Sequence, residues 1–422
     1  MTFNPSSGSR LTLPKALRQF LEPILEKSQN ADLPVYLVGG CVRDLLLGKT
    51  PLDIDLVVEG SADAFVRSAA KAYKAKVVSH PQFLTHTLLL SKGRHLDIAT
   101  ARTETYPDVA SLPVVEPASL QEDLYRRDFS INAMALSLNS ADFGHLWDPF
   151  GGAEDLKSSK IRVLHSASFK DDPTRIFRAA RFAARFNAEL EWRTREWLTE
   201  SIQQQIPGRL SGARLREELI PLLQEGDPRL SLSLLASWNA LEFLVPQIHW
   251  DKCHEALFVP MLKAGKKLDP IFLRLMVLVH TLPLPRAVGA VSHLMFPHAM
   301  ISQVEQVLQV IAQLKSGALS TSMGKKNASR PLTPEGKYFI EHALRLKSSG
   351  KEKIPLKQWQ RFEDSAPCLS GEDLCGLGYK PGPLFKKMFD AVRKARWEGK
   401  LRTREEEIRF VARLFPLVKS DS

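Results

Sequence analysis

The stretch VYLVGGCVRDLLLGKTPLDIDLVVEG, Val35 to Gly60, constrains the fold more than any other part of the chain. An apolar run closes on Gly39 and Gly40, a short helical pattern follows, and a second apolar run, Asp53 to Val58, comes after a Lys-Thr-Pro break. This order predicts strand, glycine turn, helix and strand in immediate succession. Side chains alternate along a strand, so Asp53 and Asp55 point the same way, roughly 7 Å apart at their Cα atoms. Two carboxylates on one face suit Mg²⁺, which takes one or two of them with retained water and phosphate oxygens. Gly39 and Gly40 let the backbone approach a phosphate, and Arg43, one turn into the helix, adds a charge-assisted contact. A bare Asp-x-Asp is more often a solvated strand face, but the glycine turn and the arginine beside it outweigh that reading.

Other β-type runs in the first 140 or so residues, AKVVSH, LTHTLLL and RHLDIATA, surround one strong helical segment, SADAFVRSAAKAYKA. From about Phe150 the β signal fades, and apolar residues recur three and four apart. This order suggests a small N-terminal α/β or α+β domain followed by helices, and α+β is the fold class expected of the whole chain. A stretch rich in Gly, Ser, Lys and Pro, Lys315 to Gly336, reads as a linker or mobile loop. The formal charge of +11 and a pI near 9.4 favour a polyanionic partner. Cys41, Cys253, Cys368 and Cys375 form no Cys-x-x-Cys pair, which argues against zinc and a disulfide framework. With no signal-peptide pattern and no long apolar run, the expected location is the cytoplasm, away from membranes.

Downstream, RHLDIATAR offers a third strand carboxylate, Asp97, either a metal ligand or general base or else a partner of Arg94 or Arg102. In DDPTRIFRAARFAARF, helical spacing places Arg175, Arg178, Arg181 and Arg185 in a winding basic stripe, while Ile176, Phe177, Ala180 and Phe186 pack elsewhere.

Four segments in order, LVGGCVRDLLLGKTPLDIDLVV, EDLYRRDFSINAMAL, DPFGGAEDLKSSKIRVL and DDPTRIFRAARFAARF, resemble consecutive motifs of the class II tRNA nucleotidyltransferase and bacterial poly(A) polymerase family, within the DNA polymerase beta-like nucleotidyltransferases. The likeness runs from about Val35 to Leu219. It implies a polymerase beta-like head with a small mixed sheet at 1–148, a neck with the nucleotide-recognition motif at 149–225, a helical body at 226–330 and a tRNA-binding tail at 331–422. It also implies template-free addition of nucleotides from CTP and ATP, with Mg²⁺, to a tRNA held by its acceptor stem and 3′ end. In that family Asp53 and Asp55 would hold metal, Gly40, Arg43 and Arg127 would contact the triphosphate, and Asp128 and Asn132 would lie near the ribose. An Asp that accepts and an Asn that accepts and donates are suited to detecting a 2′-hydroxyl.

The family's Glu-Asp-x-x-Arg motif is matched by Asp172 and Arg175, with Asp171 in place of the glutamate. Cytosine and adenine present an amino donor beside a ring-nitrogen acceptor, so an acceptor-only Asp172 beside a donor-only Arg175 would select them over uracil and guanine. Arg178 and Arg181 match further arginines that contact nucleotide or phosphate in the family.

VVSHPQFLTHTLLL stands where poly(A) polymerases of the gammaproteobacterial type carry a Gly-Arg-Arg-Phe-like segment, which argues for tRNA as substrate. The segment TARTETYPDVASLPVVEPASLQEDLYRRD is rich in Pro and small residues and reads as a mobile loop of the kind found in relatives that add the terminal A. Full CCA addition is the expectation, with A addition alone as its nearest alternative. Lys386, Lys387, Arg393, Lys394, Arg396, Lys400, Arg402 and Arg404 form a basic cluster suited to a tRNA backbone, or else a solvated helix face balanced by Glu405 to Glu407.

Overall fold

A computed structural model describes residues 9–30, 33–51, 53–316, 332–347 and 354–416 of the 422-residue chain. The linker expected at Lys315 to Gly336 lies outside the described residues from 317 to 331. The chain forms two compact units, the first reaching to Glu218 and taking in Leu230–Phe243, the second made of Leu219–Arg229 and the chain from Leu244 onward.

The first unit begins with α1 (Lys15–Asn30), β1 (Val35–Val38), α2 (Gly40–Leu46), β2 (Asp55–Val58) and α3 (Asp63–Tyr73). Then come β3 (Lys76–His80), β4 (Thr85–Leu89), β5 (His95–Thr100), β6 (Arg102–Thr105), β7 (Val114–Pro117) and α4 (Leu120–Tyr125). It continues through β8 (Ala135–Ser137), β9 (Leu146–Trp147), α5 (Gly152–Lys157), β10 (Lys160–Ile161), α6 (Ser168–Asp171), α7 (Thr174–Phe186), β11 (Glu189–Leu190), α8 (Trp192–Gln203) and the start of α9 (Gly212–Gln224), whose residues after Glu218 belong to the second unit.

Seven strands make a mixed sheet in the order β3-β4-β5-β2-β1-β8-β9, in which β2 and β5 run parallel. At β1 and β2 the sheet is covered on both faces, which explains their unbroken apolar runs, while the edge strand β3 is exposed throughout. Val35, Leu37, Leu56 and Val58 join Leu21, Ile24, Phe65 and Val66 in one core. Tyr36, Val38 and Val57 join Leu120 and Leu124 in the other.

Two expectations need correction. Asp53 does not lie on the strand: β2 starts at Asp55, and its ladder to β5 opens at the Ile54 carbonyl, which accepts from Asp97 N at 3.1 Å. Asp53 therefore sits at a bend just before the pairing, following Pro51. The segment after β5 is not an irregular loop but an antiparallel hairpin, with Arg102 opposite Pro117 and Thr105 opposite Val114. Its β-branched residues Thr103, Thr105, Val114 and Val115 fit a pleated surface, and α4 after it is closed by a Ser119–Glu122 capping box.

The described part of the second unit is helical. Its most apolar helix, Pro270–Val279, is buried from Phe272 to Val279, and Arg274 escapes an apolar fate by donating to the carbonyls of Leu223 and Glu225. A separate core of Leu374, Tyr379, Met388, Val392 and Val411 holds the last helices. Part of the expected basic cluster serves this packing. Arg396 Nη1 donates to the fully buried Glu407 at 2.5 Å, Arg393 lies 4.6 Å from the Phe362 ring centre, and Arg404 pairs with Asp373. Lys387, Lys394 and Arg402 stay exposed. Among the described residues no helix is long and apolar enough to cross a membrane.

Candidate nucleotide site

The turn between β1 and α2 is built by necessity from glycine. Gly39 has φ +68, and a Cβ there would stand 2.7 Å from Arg127 Nη1. Its N–H donates to Met134 O at 3.0 Å, tying the turn to the chain just before β8. Arg43 is buried, donating from Nη1 to Asn132 Oδ1 at 2.6 Å and from Nη2 to Asp44 Oδ1 at 2.9 Å. The first and second sequence motifs thus meet at one corner.

The carboxylates gather at the neighbouring strand ends. Asp55 and Asp97 are register partners on the parallel strands β2 and β5. Asp97 Oδ1 accepts from Thr87 Oγ1 at 2.5 Å, and His95 Nε2 lies 3.6 Å from Asp53 and 3.7 Å from Asp97. The pairing of Asp97 with Arg94 or Arg102 is not formed: Arg94 lies over Phe20, and Arg102 bonds to Glu104 and Phe83 O. Burial, with Asp97 and Asp53 nearby, pushes the Asp55 carboxyl above its ordinary value against the pull of Arg127. Such crowding of like charge fits a divalent cation, which would offset it. Among the described residues no group of three or more His, Cys, Asp or Glu is placed to hold a metal ion.

The second motif is held by two buried carboxylates. Asp123, fully buried, receives Arg126 Nη2 at 2.7 Å and Arg127 Nη2 at 2.9 Å. Asp128 accepts Asn132 Nδ2 at 2.9 Å on Oδ1, and Arg178 Nε and Nη2 at 2.9 and 2.6 Å on Oδ2. Burial opposes ionisation at both, yet Arg127 and Arg126 around Asp123, and Arg178 with Asn132 at Asp128, hold each carboxyl below the ordinary range.

At the far end the expected base-reading pair is present but not paired side chain to side chain. Asp172 Oδ1 accepts Thr174 Oγ1 and Arg214 Nη2, both at 2.7 Å. Arg175 is buried and donates to Ser168 Oγ at 2.5 Å and Arg126 O at 2.6 Å. Arg214 also donates from Nη1 to Ala110 O at 2.6 Å, linking Asp172 to the tip of the β6–β7 hairpin. Burial pushes Asp171 above its ordinary value, aided by Asp172 and opposed by Arg175, and its Oδ2 stands 3.9 Å from His165. Burial also pushes Glu218 up to about 7, against the pull of Arg178 and Arg181.

These parts line one cavity of about 590 Å³. Gly40, Arg43, Asp53, Asp55, Arg127, Asp128, Asn132, Asp172, Arg175, Arg178 and Arg181 all face it, whereas Asp97 stands one strand away, outside the lining. Glu104, Tyr106, Arg126, Phe182, Arg185 and Glu218 also line it, and with Arg214 they were missed as site residues. Arg185 stood in the basic stripe, and the repeated arginines and acids of GARLREEL were the signal for Arg214 and Glu218. Glu104 and Tyr106 had no local signal, since the hairpin that carries them looked like loop.

A small mixed sheet with paired aspartates beside a glycine turn, facing an arginine-rich cavity, defines the class: a nucleotidyltransferase. Residues 35–162 match the poly A polymerase head domain, and residues 190–251 match the family described as "Probable RNA and SrmB-binding site of polymerase A". The chain is 32% identical to the A-adding tRNA nucleotidyltransferase of Halalkalibacterium halodurans, over 94% of this chain and 92% of that protein. It is 31% identical to the A-adding tRNA nucleotidyltransferase of Geobacter sulfurreducens over 95% of this chain, where it spans about half, 47%, of the relative's length. The CCA-adding enzyme of Thermotoga maritima complexed with tRNA-CCA matches with TM-score 0.66 and 30% identity, covering 96% of each chain. Structures of CCA-adding enzyme with CTP and with ATP match at TM-scores 0.70 and 0.69, with 32% and 31% identity, covering 96% and 97% of this chain and 97% and 96% of theirs. The chain belongs to the class II tRNA nucleotidyltransferase and poly(A) polymerase family.

Proposed function

We propose that this chain builds the 3′ end of tRNA without a nucleic-acid template, joining a nucleotide from ATP, and in the full reaction also from CTP, to the terminal ribose. The observation that carries this reading is the single cavity in which paired carboxylates, phosphate-suited arginines and the Asp172/Arg175 pair meet. The tRNA 3′-hydroxyl oxygen attacks the α-phosphorus, the bond to the β-phosphate oxygen breaks, and pyrophosphate leaves. Asp53 and Asp55 would hold Mg²⁺, which when bound supplies positive charge to the reacting phosphate oxygens. Arg43 and Arg127 hold the triphosphate, Asp128 and Asn132 orient the ribose, and Asp97 is the candidate third carboxylate to accept the hydroxyl proton. Arg178 and Arg181 serve the nucleotide from the same helix. The helical regions 226–330 and 331–422 are read as a body and tail that hold the tRNA, with Lys387, Lys394 and Arg402 toward its backbone. Work on tRNA accords with a cytoplasmic location.

Addition of the terminal A is the step shared by the two best-supported readings. The A-adding names of two curated relatives favour A alone, and the CCA-adding names of the matched structures favour all three nucleotides. Purified protein is given tRNA ending before CCA, after C and after CC, with Mg²⁺, CTP and ATP. Extension of the CC-ended tRNA alone selects A addition, extension of all three to the same end selects CCA addition, and arrest after CC selects CC addition. Long A tracts on arbitrary RNA would select poly(A) synthesis, and tight binding without incorporation an inactive relative.

A further inference from the structure

The cavity's arginines share an aromatic centre. The Phe182 ring centre lies 5.6 Å from the guanidinium carbon of Arg43, 5.5 Å from that of Arg178, 5.3 Å from that of Arg181 and 5.7 Å from that of Arg185. Three of these arms come from α7 itself, one turn or less away, while Arg43 reaches across from α2. Phe182 is 4% exposed. Its ring is fixed by Phe186, stacked at 6.0 Å and 16°, and by Phe129, edge-on at 5.8 Å and 86°. Arg43 lies over Phe186 as well, at 5.0 Å.

We propose that Phe182 is a positioning residue for the nucleotide's phosphates: its ring gathers Arg43, Arg178, Arg181 and Arg185 into one cationic cluster facing the cavity. The proposal rests on the reading of that cavity as a nucleoside triphosphate site. Four guanidinium groups this close repel one another, a repulsion that Asp44 on Arg43 and Asp128 on Arg178 reduce. A carboxylate at the centre would hold them but cancel the charge that a triphosphate needs. An aromatic ring attracts cations through its quadrupole and carries no net charge, so it adds to the hold that Asp44 has on Arg43 and Asp128 on Arg178 without taking further charge from the cluster. The arms are thereby ordered before the nucleotide arrives, which lowers the cost of binding.

The consequence separates Phe182 from a plain core residue and from a base reader. Weakening the ring's quadrupole should weaken phosphate binding, equally for CTP and ATP, with little change in the transfer step. The test places 4-fluoro-, 3,5-difluoro- and 3,4,5-trifluorophenylalanine at position 182 of the full chain, with Phe182→Leu as the extreme case. Affinity for inorganic tripolyphosphate is read by calorimetry, and kcat and KM for each nucleotide are read on tRNA, beside thermal melting.

The expected result is a stepwise loss of tripolyphosphate affinity across the fluorinated series, about tenfold in total, a matching rise in KM for both nucleotides, and unchanged melting. Unchanged tripolyphosphate affinity through the series overturns the proposal, as does a KM change confined to one nucleotide. Wild-type protein that binds tripolyphosphate but never extends tRNA would sink the proposed function, while the fluorinated series still decides the role of Phe182.

Discussion

Arg214 Nη2 donates to Asp172 Oδ1 at 2.7 Å across forty-two residues of chain, while Arg214 Nη1 holds the hairpin carbonyl of Ala110. The carboxylate expected to read the base is therefore aimed by an arginine from α9, which sets its orientation relative to Arg175.

Removing that aim should loosen selection more than it slows transfer. Arg214→Ala is expected to raise incorporation of UTP or GTP relative to ATP by about tenfold, because Asp172 is then held by Thr174 alone. Arg175→Ala should relax selection as well. Competition assays with mixed nucleotides check both, and selectivity equal to wild type in Arg214→Ala would remove Arg214 from this role.

Asp53→Ala with Asp55→Ala should lower incorporation by about a thousandfold or more, since phosphoryl transfer depends on charge stabilisation. The fold should survive. Burial already disfavours the ionised Asp55, so in metal-free buffer the double variant should melt no lower than wild type. Loss of activity accompanied by a clearly lower melting temperature would point to a structural role.

The Asp128–Arg178 pair joins α7 to the second motif, and Asp128 is only 9% exposed. Asp128→Ala leaves the Arg178 charge without its partner and should cost about 3 kcal/mol of stability, read from denaturant midpoints. Asp128→Asn retains the shape and should lose less stability while losing most activity.

Glu218 gives a pH signature. Its carboxyl is raised from 4.5 to about 7 by burial, so folding favours the protonated form. That contribution is fully present below pH 4.5 and is lost as pH rises through about 7. Glu218→Gln should therefore match wild type below pH 4.5 and exceed it at pH 8, by roughly 1 kcal/mol or about 2–4 °C in melting temperature. A difference that does not vary with pH would show that Glu218 is ionised throughout.

Much of the site was legible because its chemistry is local. Gly39, Arg43, Asp53 and Asp55 stand close together in the chain, as do Arg127, Asp128 and Asn132, and helical spacing links Arg175, Arg178 and Arg181. The β6–β7 hairpin was not legible, since its Pro and small residues outweighed four β-branched positions in local pattern. In the tail, Glu405 to Glu407 were legible as a balance to the basic cluster, and Arg396 does bind Glu407 eleven residues on, whereas the partners of Arg393 and Arg404, Phe362 and Asp373, lie far along the chain.

The sequence alone determined the α+β class, the glycine turn, the carboxylates and the arginine stripe, because backbone sterics and side-chain period act over neighbouring residues. Only the tertiary structure decided which groups finally meet: His95 between Asp53 and Asp97, Arg214 on Asp172, and four arginines around Phe182. Those encounters depend on strand register and on helix packing between segments far apart in the chain, which bring charges within a few ångströms without leaving a local mark on the sequence.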